Sequence, residues 1–171
     1  MTSILTPDYH LWTNTSRFKE FGKTIQPESI ALFGCRISKY LIREIYNEDY
    51  FKVDYEDRPR LSFSYDSGKI KGHFRTAGCL AIFLAYLMGS TETFIAGLDG
   101  YTLKPQEELD SGESSQHLYG DGNTDRNDWK TCLAKDKICY KVLRDMSRTI
   151  NFTIITPTVF HDFHTPLLKG N

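Results

Sequence analysis

The sequence lacks the common signatures of phosphate-binding loops, hydrolases and zinc enzymes. It contains no GxGxxG, GxxxxGK[ST], GxSxG or HExxH pattern, so dinucleotide, P-loop and common hydrolase functions lose most of their support. Its four cysteines show no CxxC spacing, which argues against a zinc site and against a disulfide framework. We therefore expect reduced, buried thiols.

An excess of charge of one sign and a long apolar run are also missing. The formal net charge is −1, which gives no support to a broad surface for DNA or RNA. The longest apolar run, 79–88, is about half of what a bilayer crossing requires. The amino-terminal MTSILTPDYH has no basic segment followed by an apolar stretch, as a signal peptide would. We expect a cytoplasmic protein without nucleic acid among its partners.

The chain alternates strand and helix patterns, which predicts an α/β fold. With 171 residues and 40% hydrophobic content, one domain over 1–171 is expected. The predicted order is strand 9–13, helix 17–21, strand 29–33, helix 37–46, a peripheral strand or hairpin region 50–74, an apolar helix after 75, a strand ending near 97, helix 129–146 and strand 152–155.

The stretch 75–101 is the most informative part of the chain. An apolar helix closed by Gly89 leads into a β-rich run that ends in Gly97, Asp99 and Tyr101, which predicts a buried helix and a central strand. In open sheets, ligands bind beyond the carboxyl ends of the strands. We therefore expect chemistry at Asp99, with a capping or turn role as the alternative.

A polar segment over 107–128 is predicted to be a long active-site loop or lid, because uninterrupted loops of that length are uncommon without a function. It brings together His117, Tyr119, Asp121 and Asp125, which offer a general base and hydroxyl-binding groups. The alternative is a solvated loop with Asx turns.

Metal binding has little support. Alternate Asp and Asn residues over 121–127 resemble the ligand positions of a calcium loop. However, Arg126 stands where that loop requires glycine, and Cys132 stands where it requires glutamate. His161 and His164 lie three apart, yet near a terminus a satisfied or solvent-facing pair is commoner than a metal site. We predict no metal and no cofactor.

Residues near two predicted helix starts are further candidates. Arg75 precedes the apolar helix, where it would meet a phosphate or carboxylate, or else form a surface salt bridge. Gly78 within that helix costs about 1 kcal/mol relative to alanine, which favours a packing or ligand-approach reason. Asn14 follows the first strand and would contact a ligand or cap the next helix.

The order of these residues along the chain resembles that of the nucleotide-sugar-using bacterial sialyltransferases with a modified Rossmann core. The chain is also similar to the related motility-associated factors and hydroxymethylpterin pyrophosphokinase-like enzymes. The match is carried by a first strand YHLWTN and by Arg75, Gly78, Gly97, Asp99, Tyr101, His117, Tyr119 and Gly120. The resemblance implies an open, mostly parallel Rossmann-like sheet flanked by helices, lacking the usual first strand and its Gly-rich turn.

The resemblance implies a metal-independent, inverting glycosyltransferase-like domain that uses a nucleotide-activated, sialic-acid-like sugar in surface glycan or polysaccharide biosynthesis. Asn14, Arg75 and Gly78 would lie near the nucleotide-sugar. Tyr101 and Tyr119 would lie near its phosphate. The remaining implied site residues are Gly97, Asp99 and Gly120 for substrate and His117 or Asp121 as the base that deprotonates the acceptor hydroxyl.

The implied partners are a nucleotide-sugar and a glycan acceptor, with peripheral membrane association through the acceptor and a homo-oligomer or partner domain. Asp121 stands where sialyltransferases place their catalytic histidine.

Two alternatives to this function stay open. One is a magnesium-dependent pyrophosphokinase-like enzyme, in which Asp99 and Asp121 would hold the metal with a nucleoside triphosphate. The other is a non-catalytic binding or assembly domain of a larger protein, similar to the appendages of aldolase-like proteins.

Overall fold

The computed structural model describes residues 6–103 and 129–166. In these parts the chain is a mixed α/β protein with four α-helices and three small, partly parallel sheets. It divides into two compact units, 1–77 and 78–171, which are described in turn. That the whole chain is one domain stays a prediction.

The first unit opens with a β-α-β-α-β sequence, as the sequence pattern predicts. Its elements are β1 (Tyr9–Trp12), α1 (Thr15–Phe21), β2 (Ile30–Gly34), α2 (Lys39–Ile45) and β3 (Tyr50–Val53). The strands are parallel, in the order β1-β2-β3. Parallel neighbours joined by helical crossovers are the expected product of alternating strand and helix patterns.

One face of this sheet forms the core of the unit. In β2 the buried side chains alternate, because successive residues of a strand point to opposite faces. Phe33 of β2 packs edge-on against Phe18 of α1, with ring centroids 4.8 Å apart. The buried cluster consists of Trp12, Phe18, Ile25, Ala31, Phe33, Ile37, Leu41, Ile42 and Tyr46.

Both helices of this unit begin at a side-chain cap. The Asn14 side chain accepts the backbone N–H of Arg17 at 3.1 Å, and the Ser38 hydroxyl accepts that of Leu41 at 3.2 Å. A cap of this kind satisfies one of the amide groups left unpaired at a helix start. Asn14 therefore caps α1, and its contact with a ligand stays a prediction.

A second small sheet confirms the predicted hairpin region. It contains β4 (Tyr55–Asp57), β5 (Ser64–Asp66) and β6 (Lys69–Gly72), in the order β4-β6-β5. β5 and β6 are antiparallel. The two residues that join them, Ser67 and Gly68, have φ values of 50° and 80°, the left-handed pair that a tight hairpin requires.

The second unit contains most of α3 (Ala77–Leu87), then β7 (Thr93–Ile95), α4 (Trp129–Met146) and β8 (Phe152–Ile154). β7 and β8 are parallel. The predicted helix 129–146 has the bounds expected from its spacing. The largest fully buried side chains of this unit are Leu80, Leu143, Met146, Ile154 and Phe160.

Two sequence expectations differ from the structure. β7 was expected to be a buried central strand, but β8 is the only strand paired with it in the residues described. Phe94 is 61% exposed, because none of the described residues covers the sheet face on which it lies. Four buried thiols were expected, but Cys35 is exposed, since it lies in the turn after β2; Cys79, Cys132 and Cys139 are buried, and all four are free.

No helix within residues 6–103 or 129–166 combines the length and the apolar character needed to cross a bilayer.

Candidate functional site

The carboxyl ends of β7 and β8 bring several polar groups together. The backbone N–H of Gly97 donates to Thr156 Oγ1 at 2.9 Å, and the Thr156 hydroxyl donates to Asp99 Oδ1 at 3.4 Å. Because parallel strands end at the same edge of a sheet, residues that follow β7 and β8 meet there. The structure thus places Gly97 and Asp99 at the edge where the sequence predicts chemistry.

The backbone around Asp99 is held by the segment that follows β8. Thr158 Oγ1 donates to the carbonyl oxygen of Leu98 at 2.8 Å. The N–H of Val159 donates to the carbonyl oxygen of Asp99 at 2.9 Å. Asp99 is half-buried. Within the described residues, its carboxylate accepts one side-chain hydrogen bond, from the Thr156 hydroxyl at 3.4 Å. Its main chain is therefore fixed while its oxygens keep the capacity to accept further hydrogen bonds.

A buried carboxylate that sequence reasoning missed organises the next residues. Asp136 of α4 is 5% exposed and accepts the backbone N–H of Tyr101 at 2.8 Å and that of Thr102 at 2.8 Å. The Thr102 hydroxyl donates to the same carboxylate at 2.8 Å. These three donors satisfy a charge that would otherwise be costly to bury, and they tie the loop after β7 to helix α4.

The spacing of α4 did carry a signal for Asp136. This residue lies four positions after Cys132 and three before Cys139, on the helical stripe that also includes Leu143, and all four side chains are buried. A carboxylate on an apolar stripe requires a hydrogen-bond partner. The pattern therefore marks Asp136 as a structural acid, although it does not identify the donors.

Two glycines shape the loop in different ways. Gly100 has a φ of +87°, and a β-carbon added there would stand 2.3 Å from Val159 Cγ2 and 3.2 Å from Asp136 Oδ1. Gly97 has a φ of +78° but open space around it. Gly100 is thus required by both conformation and packing, whereas Gly97 is favoured by conformation alone.

Tyr101 places an aromatic ring and a cation at the same loop. The Nζ atom of Lys135 lies 4.8 Å from the centroid of the Tyr101 ring, a distance typical of a cation–π contact. Tyr101 itself is half-buried, and Asp136 holds its backbone. The edge therefore combines a carboxylate, hydroxyls, a phenol and an ammonium group.

The other predicted site residues lie elsewhere in the chain. Arg75 is exposed and precedes α3 with a φ of +62°. Its side chain forms no ion pair with any residue of 6–103 or 129–166, so the surface salt bridge, one of its two predicted roles, is not formed there. Gly78 lies in the first turn of α3. Arg75 and Asn14 belong to the first unit and Gly97, Asp99 and Tyr101 to the second. The predicted loop 107–128, with His117, Tyr119, Gly120 and Asp121, lies outside the described residues.

Among the side chains that the structure describes, no group of three or more His, Cys, Asp and Glu residues is arranged to hold a metal ion. His161 begins a short 3-10 helix (His161–Phe163), and His164 follows it. The calcium-like segment 121–127 lies outside the described residues.

A separate open cleft of about 450 Å³ lies at the amino-terminal end of β8, lined in part by Arg148, Asn151 and Asp162. The phenol of Tyr140 donates a short hydrogen bond to Asp162, and this bond raises the pKa of Tyr140. Arg148 is paired with Asp145 at 3.4 Å. The cleft lies at the opposite end of β8 from Asp99, so it is not part of the candidate site.

The chain was compared with family models, curated proteins and solved structures, and none of them matched.

Proposed function

We propose that this chain is a glycosyltransferase-like domain that binds a nucleotide-activated, sialic-acid-like sugar, and that the edge at β7 and β8 forms part of its ligand site. The observation that carries the proposal is Asp99, a half-buried carboxylate on a fixed backbone at the ends of two parallel strands. Positions of this kind, beyond the carboxyl ends of strands, are where α/β proteins bind their ligands.

The groups around Asp99 suit a hydroxylated, anionic ligand. A carboxylate accepts hydrogen bonds from sugar hydroxyls, and the Thr156 hydroxyl beside it is a further donor or acceptor. Lys135, held over the Tyr101 ring, brings a positive charge to the same loop. Phosphate is the anion that a nucleotide-sugar would present to it.

The proposed reaction needs no metal. A base, His117 or Asp121, removes the proton of the acceptor hydroxyl, whose oxygen bonds to the anomeric carbon of the donor as the bond from that carbon to the phosphate oxygen breaks. The electron pair leaves with the nucleotide phosphate. Hydrogen bonds from Tyr101 and Tyr119 would stabilise the charge that develops on it. These roles come from the resemblance in the sequence and are part of the proposal.

A Rossmann-like sheet is the fold we propose for this function. Two observations support it. The first unit has the β-α-β-α-β order with three parallel strands, and the second joins its two parallel strands through α4. We also propose a cytoplasmic location and a glycan acceptor as partner, as expected for the synthesis of surface glycans from nucleotide-sugars.

The proposal is tested by ligand binding to the full chain. We would measure thermal shifts and calorimetric binding with a cytidine-monophosphate-linked sialic acid, a uridine-diphosphate sugar and ATP, each with magnesium and with a chelator. Ligands that bind only the native state raise its melting temperature. Asp99→Asn removes the charge at the site, and Glu92→Gln, at an exposed position before β7, is the matched control.

We expect a nucleotide-sugar to bind without metal. Asp99→Asn should weaken this binding about tenfold or more, because hydrogen bonds to a charged group contribute about 1.5–3 kcal/mol. Glu92→Gln should not weaken it. Binding of ATP alone, and only with magnesium, would instead favour the pyrophosphokinase. If no nucleotide-sugar binds, the proposal fails and the non-catalytic domain becomes the better account.

A further inference from the structure

A tight turn follows the middle strand of the first sheet, at the edge where β1, β2 and β3 end. The N–H of Ile37 donates to the carbonyl oxygen of Gly34 at 3.0 Å. Lys52 Nζ, from the neighbouring β3, donates to the carbonyl oxygens of Gly34 at 3.1 Å and of Ile37 at 2.6 Å. The turn 34–37 is thus held by its own hydrogen bond and by a cation from the next strand.

The ring of Tyr55 lies directly against this turn. A β-carbon at Gly34 would stand 2.9 Å from Tyr55 Cε1 and 3.3 Å from the carbonyl oxygen of Trp12. The thiol of Cys35 donates to the carbonyl oxygen of Tyr55 at 3.3 Å. The ends of β1 and β2 and the start of β4 therefore meet closely here, and glycine is needed at position 34 for this approach.

Arg36 lies over the Tyr55 ring, with its guanidinium carbon 5.9 Å from the ring centroid. Arg36 is exposed, and no acidic side chain within 6–103 or 129–166 forms an ion pair with it. A guanidinium that rests on an aromatic face keeps its N–H groups directed outward in its own plane. It can therefore donate two parallel hydrogen bonds to an anion.

Two lysines lie near the turn in addition to Arg36. Lys39 begins α2. Burial lowers the pKa of Lys52; the nearby Cys35 opposes this shift, and the charge of Lys39 adds to it. Burial is the main cause of the raised pKa of Tyr55; the charge of Arg36 opposes it, and those of Cys35 and Asp57 add to it. The Asp57 carboxylate accepts the backbone N–H of Phe74 at 3.0 Å. Arg36 and Lys39 thus remain available to an anion at this edge.

We propose that the turn 34–37, through Arg36 resting on Tyr55, binds the phosphate of a phosphomonoester. Such a ligand carries up to two negative charges on a group whose oxygens match the fork of a guanidinium, which favours it over a monovalent carboxylate where more than one cation is present. The site lies beyond the carboxyl ends of parallel strands, the usual place for a ligand in an α/β unit. The inference concerns residues other than those of the proposed function and does not rest on it.

The test is calorimetric titration of the full chain at low ionic strength with cytidine monophosphate, ribose 5-phosphate, inorganic phosphate and cytidine. The three phosphates are expected to bind and cytidine is not. Tighter binding of cytidine monophosphate than of ribose 5-phosphate would identify the ligand as a nucleotide. Equal binding of these two would identify a sugar phosphate or simpler phosphomonoester. Both outcomes support the phosphate site.

Arg36→Gln is expected to weaken phosphate binding about tenfold or more, because it removes a charge-assisted pair of hydrogen bonds. Arg43→Gln, at an exposed arginine of α2, is the matched control and should change binding less than about twofold, since exposed charges outside a site contribute little. Tyr55→Phe keeps the ring and should retain binding. Tyr55→Leu removes the ring and should weaken binding, with circular dichroism to check that the variant is folded.

Failure of this inference is distinguishable from failure of the proposed function. Asp99→Asn should leave phosphate binding at Arg36 unchanged, and Arg36→Gln is the variant that should weaken it about tenfold or more. If all phosphates bind Arg36→Gln as tightly as the unchanged chain, if cytidine binds as well as cytidine monophosphate, or if no phosphate binds at millimolar concentration, the phosphate site is overturned.

Discussion

The carboxylate of Asp136 accepts the backbone N–H of Tyr101 at 2.8 Å, across 35 residues of sequence. This bond and the two from Thr102 join helix α4 to the loop that carries Asp99. The loop after β7 therefore depends on a side chain that is distant in sequence. Positioning of a site by a rigid element behind it is a common feature of ligand-binding loops.

Asp136→Ala should destabilise the protein by about 2–4 kcal/mol, because it leaves two backbone N–H groups without their charged acceptor. Urea unfolding followed by circular dichroism would measure the loss. Asp145→Asn, at an exposed position of the same helix, is the control and should change stability by less than about 0.5 kcal/mol. Equal stability of Asp136→Ala and the unchanged chain would show that these hydrogen bonds contribute nothing.

Gly100→Ala should cost more than Gly97→Ala, although both residues have a positive φ. Left-handed backbone alone costs alanine about 1 kcal/mol relative to glycine. At Gly100 the new methyl group would also meet Val159 Cγ2 at 2.3 Å, whereas at Gly97 it would meet open space. Overpacking of this kind adds about 1–3 kcal/mol. The comparison of the two unfolding midpoints checks the packing around Gly100, and equal losses would contradict it.

His10 makes the stability of the first unit sensitive to mild acid. The ring of His10 stacks on Trp12, with centroids 4.7 Å apart, and burial lowers the pKa of His10 below its usual value of 6.5. The unfolded chain therefore binds this proton more readily than the folded chain. The contribution of neutral His10 to the free energy of unfolding is fully present above pH 6.5. It is lost as the pH falls through the lowered pKa of the folded state.

Urea unfolding at pH 7.5 and pH 5.5 tests this direction. The unchanged chain should lose more stability between the two values than His10→Gln, which has no titrating group at that position. The same difference in both proteins would mean that other groups set the pH dependence.

The order of elements could be predicted because it depends on local periodicity. The helix at α4 and the parallel strands of the first unit follow from patterns of 3.6 and 2 residues. The exposure of Phe94 could not be predicted in this way, because it depends on what packs against that face of the sheet. Cys35 is a similar case, since its exposure follows from the turn after β2.

The candidate site could be predicted in part. Gly97 and Asp99 follow an apolar segment, and the rule that ligands bind beyond strand ends placed them at the edge where the structure has them. Asp136 was missed because its donors, Tyr101 and Thr102, lie far away in sequence. Arg36 was missed because its partner Tyr55, at the start of β4, is distant in sequence.

Lys52 should stabilise the first unit through the turn after β2. Its ammonium group donates to the carbonyl oxygens of Gly34 and Ile37, and Lys52→Ala removes both bonds. We expect a loss of about 1 kcal/mol, because the side chain is largely exposed and water partly replaces the lost donor. Lys19→Ala, at an exposed position in the last turn of α1, is the control and should change stability by less than about 0.5 kcal/mol. Equal unfolding midpoints for the two variants would mean that the turn is held by its backbone bond alone, and Arg36 would then be expected to keep its place over Tyr55 in Lys52→Ala.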